Sequence, residues 1–242
     1  LVQLASSEKE ASFMKKLSNE RNHLGIELLP PNTSINNERA WPNNPYGGLI
    51  SKHDGRINPL QLQKCLLSAL DQYKVQKICE KVIHIKRVST NKYRQWKIRL
   101  SNGTTLTKDI IIICAARETE ALLKPLGHHL PLTPILGQVL ELKVQNDGED
   151  WSNWPAVLVS EKTNLIPCQH NRLILGATIE PGTYGSSEAL REMQNLNGQA
   201  PHWLKNSTKL ASWSGLRARP TNTPAPILQK LEAGLIIATG HY

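Results

Sequence analysis

Residues 109–116 read DIIIICAA. Four isoleucines follow one another with no polar residue between them, so the alternation of a half-buried strand is missing. The run is strand-sized, and its β-branched side chains favour extended backbone. It predicts a strand buried on both faces, as in a parallel sheet covered by helices. On the upstream side the period changes. Trp96, Ile98 and Leu100 alternate with Lys97 and Arg99, and Val82, Ile83, Ile85 and Val88 lie in a β-branched run before them. Asn102-Gly103 supplies the turn of a hairpin. Earlier still, Asn58 is a good N-cap, Pro59 suits the first helical position, and Gln61 sits where a capping-box partner reaches back. Leu62, Leu66, Ala69 and Leu70 recur at helical spacing, so an amphipathic helix is expected over 59–73.

The ends of the chain read differently. Residues 6–24 suggest a polar helix anchored by Phe13, Leu17 and Leu24, and the Pro/Asn/Gly-rich stretch 30–48 suggests loop. Downstream, strands are expected at 137–144, 156–160, 164–167, 172–179, 210–217 and 234–240. One helix interrupts them, capped by Ser187 and closed near Gly198, with Leu190 and Met193 inward. Clustered strands of this kind form a mostly antiparallel sheet with packed helices. The fold class is therefore α/β to α+β, in two subdomains.

Composition narrows the function. The 242 residues are 39% hydrophobic and 5% aromatic, with six Trp and one Phe. No apolar run approaches the ~18 residues that span a bilayer, and no basic-then-apolar leader is visible. Cys65, Cys79, Cys114 and Cys168 form no CxxC, which argues against a disulfide framework or a zinc site. A soluble cytoplasmic protein with no membrane partner and no metal is expected. The net charge is +9, and its excess lies in the first hundred residues, which hold 17 basic and 8 acidic side chains. From Lys74 to Arg99 nine Lys/Arg face only Glu80. That stretch carries no nucleic-acid-binding motif and only Tyr93 and Trp96 for stacking, so no nucleic-acid partner is expected. The 15 glycines include no G-x-G pair, which leaves neither a dinucleotide fingerprint nor a phosphate-binding loop. His128-His129 are adjacent and read as polar loop, not as a ligand pair.

Five phrases, in order, resemble the D-amino-acid oxidase family of flavoproteins, nearest its glycine-oxidase branch. They are HDGRINPLQL (53–62), KVIHIKRV (81–88) with DIIIICAA after it, PILGQVLELK (134–143), NLIPCQHNRLILGATIEPGTYG (164–185), and WSGLRARP (213–220) followed by AGLIIATGHY (233–242). The resemblance implies FAD as cofactor, a small amino acid or amine as substrate, and oxidative deamination, with the glycine-oxidation step of thiamine biosynthesis as a role. It implies an incomplete FAD-binding part (49–136 and 218–242) with a parallel sheet, interleaved with a substrate-binding antiparallel part (1–48 and 137–217). Family members begin with a G-x-G-x-x-G unit and end with a flavin-contacting helix. On that pattern this chain is expected to be an internal fragment that purifies with little flavin and tends to form homo-oligomers.

The resemblance also assigns residues. Arg217, the Arg of G-L-R, would hold the substrate carboxylate, a task suited to a guanidinium because it is planar, bidentate and permanently charged. Val82 would contact the adenine end of FAD through its backbone, Ala115 and Ala116 would also bind the cofactor, and His241 and Tyr242 would start the segment that reaches the flavin ring. No catalytic acid or base is assigned. Ile179 keeps an apolar wall position of the substrate pocket. Asn164 replaces a substrate-binding Tyr, Ala116 a Gly, Glu118 an aromatic, and Leu136 a basic residue before Gly137. These departures leave the substrate open. A flavin-free binding or scaffold module stays the rival reading, and bound yellow flavin would separate the two.

Overall fold

The computed structural model describes residues 1–33, 40–89, 94–145, 151 and 154–241. They form a mixed α/β fold in two units whose segments interleave along the chain. One unit comprises Leu1–Leu62, Gly137–Ile179 and Gly185–Gly215, and the other Gln63–Leu136, Glu180–Tyr184 and Leu216–Tyr242.

The first unit is built on a large sheet. Strands Leu132–Lys143, Arg172–Gly176, Thr163–Cys168, Leu158–Ser160, Val2–Leu4, Gly48–Ser51 and Ile26–Leu29 lie side by side in that order. Pairing is antiparallel except where Val2–Leu4 runs parallel to Leu158–Ser160. Strict alternation in Thr163–Cys168 puts Thr163, Leu165 and Pro167 on the buried face. Leu140, Leu142, Leu158, Leu165, Leu173 and Leu175 form the core there, closed by Met193, Leu196 and Leu204. The Met193 helix is Ser187–Gln194, whose cap is Ser186, one residue earlier than the sequence suggests. Trp151, Trp154 and Trp203 meet edge-to-face with centroids 5.2–6.0 Å apart, the favoured geometry for aromatic pairs. Half of the six tryptophans are thus spent in one cluster, which explains how a chain so poor in Phe fills this core.

Near the start of the chain, the expected polar helix is Glu8–Arg21, capped by Ser7, followed by a 3₁₀ turn Asn22–Leu24. Of its three expected anchors, Leu17 packs against the core. Phe13 and Leu24 are exposed, and Met14 is buried at 2%, packed with Ala5 and Leu49. Sparse apolar residues leave the helical phase ambiguous, and a one-residue shift moves the buried face from Phe13 to Met14.

The second unit holds two three-stranded sheets. Val82–Ser89, Arg94–Leu100 and Thr105–Lys108 form an antiparallel meander. Its second turn is the expected one, with Gly103 at φ +85° and Thr104 N–H donating to Asn102 Oδ1 at 2.9 Å. Ile227–Glu232 pairs antiparallel with Leu235–Thr239, which pairs parallel with Ile111–Ile113. The parallel pairing expected of the isoleucine run is therefore present, but burial on both faces is not. Ile111 and Ile113 are buried with Ile85, Trp96, Leu123, Leu235 and Ile237, whereas Ile110 and Ile112 are 64% and 59% exposed. The strand is covered on one face only. The helix Pro59–Gln72 likewise forms where expected, with Asn58 Oδ1 accepting from Leu60 and Gln61 N–H, yet none of its residues is buried.

An ionic cluster ties three distant pieces of this unit together. The Arg87 guanidinium grips the Glu232 carboxylate through Nε (2.8 Å) and Nη2, and Nη2 also donates to Leu126 O at 2.7 Å. His128 Nε2 lies 2.5 Å from Glu232 Oε1, and the guanidinium sits 5.8 Å above the Trp96 ring. Hydrogen bonding from Arg87, reinforced by His128, holds the Glu232 carboxyl at about 2, well below its ordinary value of 4.5. A carboxyl depressed in the folded state stabilises above its unfolded value and stops doing so as pH falls toward the folded one. Stability is therefore expected to drop by about 1–2 kcal/mol between pH 5 and pH 2 on this account, after allowing for solvent screening. Urea melts of Glu232→Gln should show a flatter acid limb than the parent; an unchanged limb would remove this pair from the explanation.

No helix among the described residues is long and apolar enough to cross a membrane. No group of three or more His, Cys, Asp or Glu side chains among them could hold a metal ion.

Candidate functional site

In the second unit, a trough of about 580 Å³ opens between the meander and the isoleucine strand. Val82, Ile83, Ile85 and Ile98 line one wall, and Ile111, Ile112, Ile113, Cys114 and Ala115 the other, with Ala121 and Leu122 from the following helix. Lys81 and Glu118 supply its charged groups. Mostly apolar walls with a few polar groups are the usual make-up of a small-molecule site. The trough brings together Val82 and Ala115, two residues singled out from the sequence. The register of the strand Val82–Ser89 shifts between Val82 and His84, and Ile83 and His84 are exposed where Val82 is half-buried.

Ala116 opens the 3₁₀ turn Ala116–Glu118 with φ +46°, in the left-handed region, and its carbonyl accepts from Thr239 Oγ1 at 3.2 Å. That backbone favours glycine, which is the residue the family resemblance implies there. Glu118 and Thr119 follow on a short turn, and the Thr119 hydroxyl is fully buried with no partner among the described residues. His241 is exposed beyond the last strand, and Tyr242 lies outside the described residues.

In the first unit, Asn164 and Ile179 sit close in sequence register. Asn164 is half-buried in Thr163–Cys168, directly opposite Gly176 on one side and Val159 on the other. Three residues past Gly176, Ile179 is 58% exposed, just after the buried Thr178. Thr178 is fastened to Gln138 by two bonds: Gln138 N–H donates to Thr178 Oγ1 at 2.8 Å, and Thr178 N–H donates to Gln138 O at 3.1 Å. Arg217, Leu136 and Glu180 belong to the second unit, and Arg217 is half-buried in the strand Thr208–Pro220, next in sequence to the buried Ala218. Leu136 is buried at 5%, opposite Glu180, which accounts for an apolar residue where a basic one is usual.

Sequence reasoning passed over Gln138, Thr178 and Lys81. The one available signal for Gln138 was a polar side chain in the middle of the apolar run PILGQVLELK.

The comparisons with known proteins agree with this architecture. The family model described as "DAO: FAD dependent oxidoreductase" matches residues 1–242, and the chain belongs to that family. Among curated proteins, glycine oxidase of Pseudomonas putida is 25% identical over 183 residues, covering 74% of this chain and 47% of its own length. Glycine oxidase of Geobacillus kaustophilus is 26% identical over 147 residues, 59% of this chain and 38% of the relative. The chain thus spans about half or less of the curated relatives it matches. Among solved structures, the glycine oxidase of Geobacillus kaustophilus superimposes with a TM-score of 0.81 at 20% identity, covering all of this chain and 65% of that one. Iminodiacetate oxidase from Chelativorans sp. BNC1 superimposes at 0.74 and 20% identity, over 99% and 65%.

The family is FAD-dependent, and the trough suits part of such a group. Its volume and β-branched walls match a flat nucleoside-sized moiety, and Lys81 and Glu118 can address its polar edges.

Proposed function

We propose that this chain forms part of an FAD-dependent oxidase of small amino acids, close to glycine oxidase in its chemistry. The observation that carries the reading is the apolar trough, which unites Val82 and Ala115 in a chain matched by the family along its whole length. Val82 serves the adenosine end of the cofactor, Ala115 and Ala116 help to bind it, and the family resemblance gives His241 and Tyr242 to the flavin-reaching segment. When bound, FAD would supply the two-electron oxidation at the substrate Cα. The chain's own task is orientation: Arg217 holds the carboxylate so that the Cα–H is presented at a fixed distance.

Ile179 walls the substrate's side-chain space, and Asn164 widens it. An Asn amide is shorter than a phenol and both donates and accepts, so the pocket gains room and loses a reaching O–H donor. A bulkier or N-substituted amino acid is therefore expected to be turned over at least as well as glycine. The test compares kcat/KM for glycine, sarcosine and D-alanine in flavin-loaded protein and in Asn164→Tyr. The tyrosine should shift preference toward glycine. No turnover of any amino acid by flavin-loaded protein would end the reading, and no shift in the variant would remove Asn164 from the pocket.

A further inference from the structure

We propose that the outer face of the meander Val82–Ser89, Arg94–Leu100 and Thr105–Lys108 docks an extended acidic segment of a partner protein, one with carboxylates at alternate positions. The basic stretch 74–99 folds so that its cations separate. Arg87 turns to Glu232 over the Trp96 ring, and Lys77 pairs with Asp71 at 2.6 Å. Lys86, Lys97 and Arg99 have no carboxylate partner among the described residues. Strand register collects these three on one face. Lys86 lies directly opposite Lys97, and His84 opposite Arg99, with Thr107 and Thr105 completing the two rows on the third strand. All of these side chains are exposed. The acids at the margins are already engaged: Asp109 Oδ1 accepts from Gln95 Nε2 at 2.9 Å, and Glu80 Oε2 accepts from Ser101 Oγ at 2.5 Å.

Folding alone does not call for this arrangement. Like charges directly opposite on paired strands destabilise a sheet. Lysine on an edge strand guards it against wrong pairing, which accounts for Lys86. Lys97 and Arg99, however, lie on the middle strand, which has no open edge to guard. The neutral Thr105 and Thr107 in the same rows show that the face has no need of charge. Spacing then selects the ligand. Lys97 and Arg99 stand two residues apart, about 6.8 Å along the strand, and an extended segment presents every second side chain on one face at that same period. Carboxylates at i and i+2 therefore meet Lys97 and Arg99 together. Arg99 can take its carboxylate with two parallel bonds, and Lys86 adds positive charge beside Lys97. Among the described residues of these rows no aromatic side chain can stack a base, and the neighbouring apolar Val88 is half-buried. A nucleic-acid strand and a lipid surface thus lack the contacts they use.

The test measures binding of two labelled peptides to the intact chain at low salt, by fluorescence anisotropy. Both have the same length and charge; one alternates Glu with Thr, and the other carries the same residues as Glu-Glu-Thr-Thr blocks. The alternating peptide should bind about fivefold tighter, the effect of one or two further ion pairs on an exposed surface, and added salt should weaken it. The double variant Lys97→Gln/Arg99→Gln should erase that preference, whereas Lys9→Gln/Lys15→Gln, on the helix Glu8–Arg21, should keep it. Lys97→Glu, which sets a carboxylate opposite Lys86, should lose binding and raise the urea midpoint. A midpoint that does not rise means that the cations support the fold, and overturns the docking role. Equal affinity for the two peptides, or unchanged affinity in the Lys97/Arg99 variant, overturns it as well. So does tighter binding of a thymidine oligonucleotide or of phosphatidylserine vesicles that the same variant abolishes, which would give the face to a nucleic acid or a membrane.

Discussion

Arg217→Ala, in flavin-loaded protein, is expected to lower kcat/KM for amino acids by roughly 30-fold to several thousand-fold, the effect of about 2–5 kcal/mol from a charge pair broken on one side. Simple amines, which bring no carboxylate, should lose far less. The reasoning is geometric as much as electrostatic. A guanidinium presents two parallel N–H groups to the two carboxylate oxygens, which fixes both the distance and the angle of the Cα. Lysine at this position keeps the charge but not the fork, so Arg217→Lys should retain some binding and lose most of the rate. Arg217 is half-buried in its strand, next in sequence to the buried Ala218. Equal losses for amines and amino acids would show that Arg217 supports the strand and does not hold the substrate.

Gly48→Ala should be the most damaging small change to stability, costing about 3 kcal/mol or more because the clash is with backbone. Gly48 begins the strand that runs between Val2–Leu4 and Ile26–Leu29, and a Cβ there would stand 2.0 Å from Gln3 O and 3.0 Å from Leu4 Cα. A flexible side chain could move away, but a strand already paired in the middle of a sheet cannot. Gly55→Ala is the control, since nothing lies within 4 Å of its Cβ position. Equilibrium urea unfolding of the two variants checks the contrast. Similar midpoints would mean that the strands at Gly48 separate without cost.

The elements that were legible in the sequence are those whose signals are local. The Asn102-Gly103 turn, the Asn58 cap and the alternation around Trp96 each depend on residues within a few positions, and each appears in the structure. The short strands Val2–Leu4, Ile26–Leu29 and Gly48–Ser51 went unread, because three or four residues carry too little period to register and their partners are distant. The isoleucine run misled in one respect. Uninterrupted apolar residues say that a strand has no preferred polar face, but whether both faces are covered depends on what packs there, and here Ile110 and Ile112 are open. The candidate site follows the same division. Val82 and Ala115 line one trough although they are far apart in sequence, and Gln138 makes three hydrogen bonds to residues 40 and more positions away, which no local pattern encodes.

The parallel pairing of Val2–Leu4 with Leu158–Ser160 has a consequence for the ribosome. Val2 faces Ile50 on one side and Leu158 on the other. The first neighbour is synthesised early, but the second emerges roughly 150 residues later, which at about 5–20 residues per second leaves one edge of the nascent sheet open for about 10–30 s. Val2, Leu4 and Leu49, all buried in the finished unit, lack that neighbour during the wait. A strand that waits this long for its neighbour is open to wrong pairing until the neighbour arrives. Slowing translation before residue 158 should lower the chain's soluble yield, and speeding it should raise it.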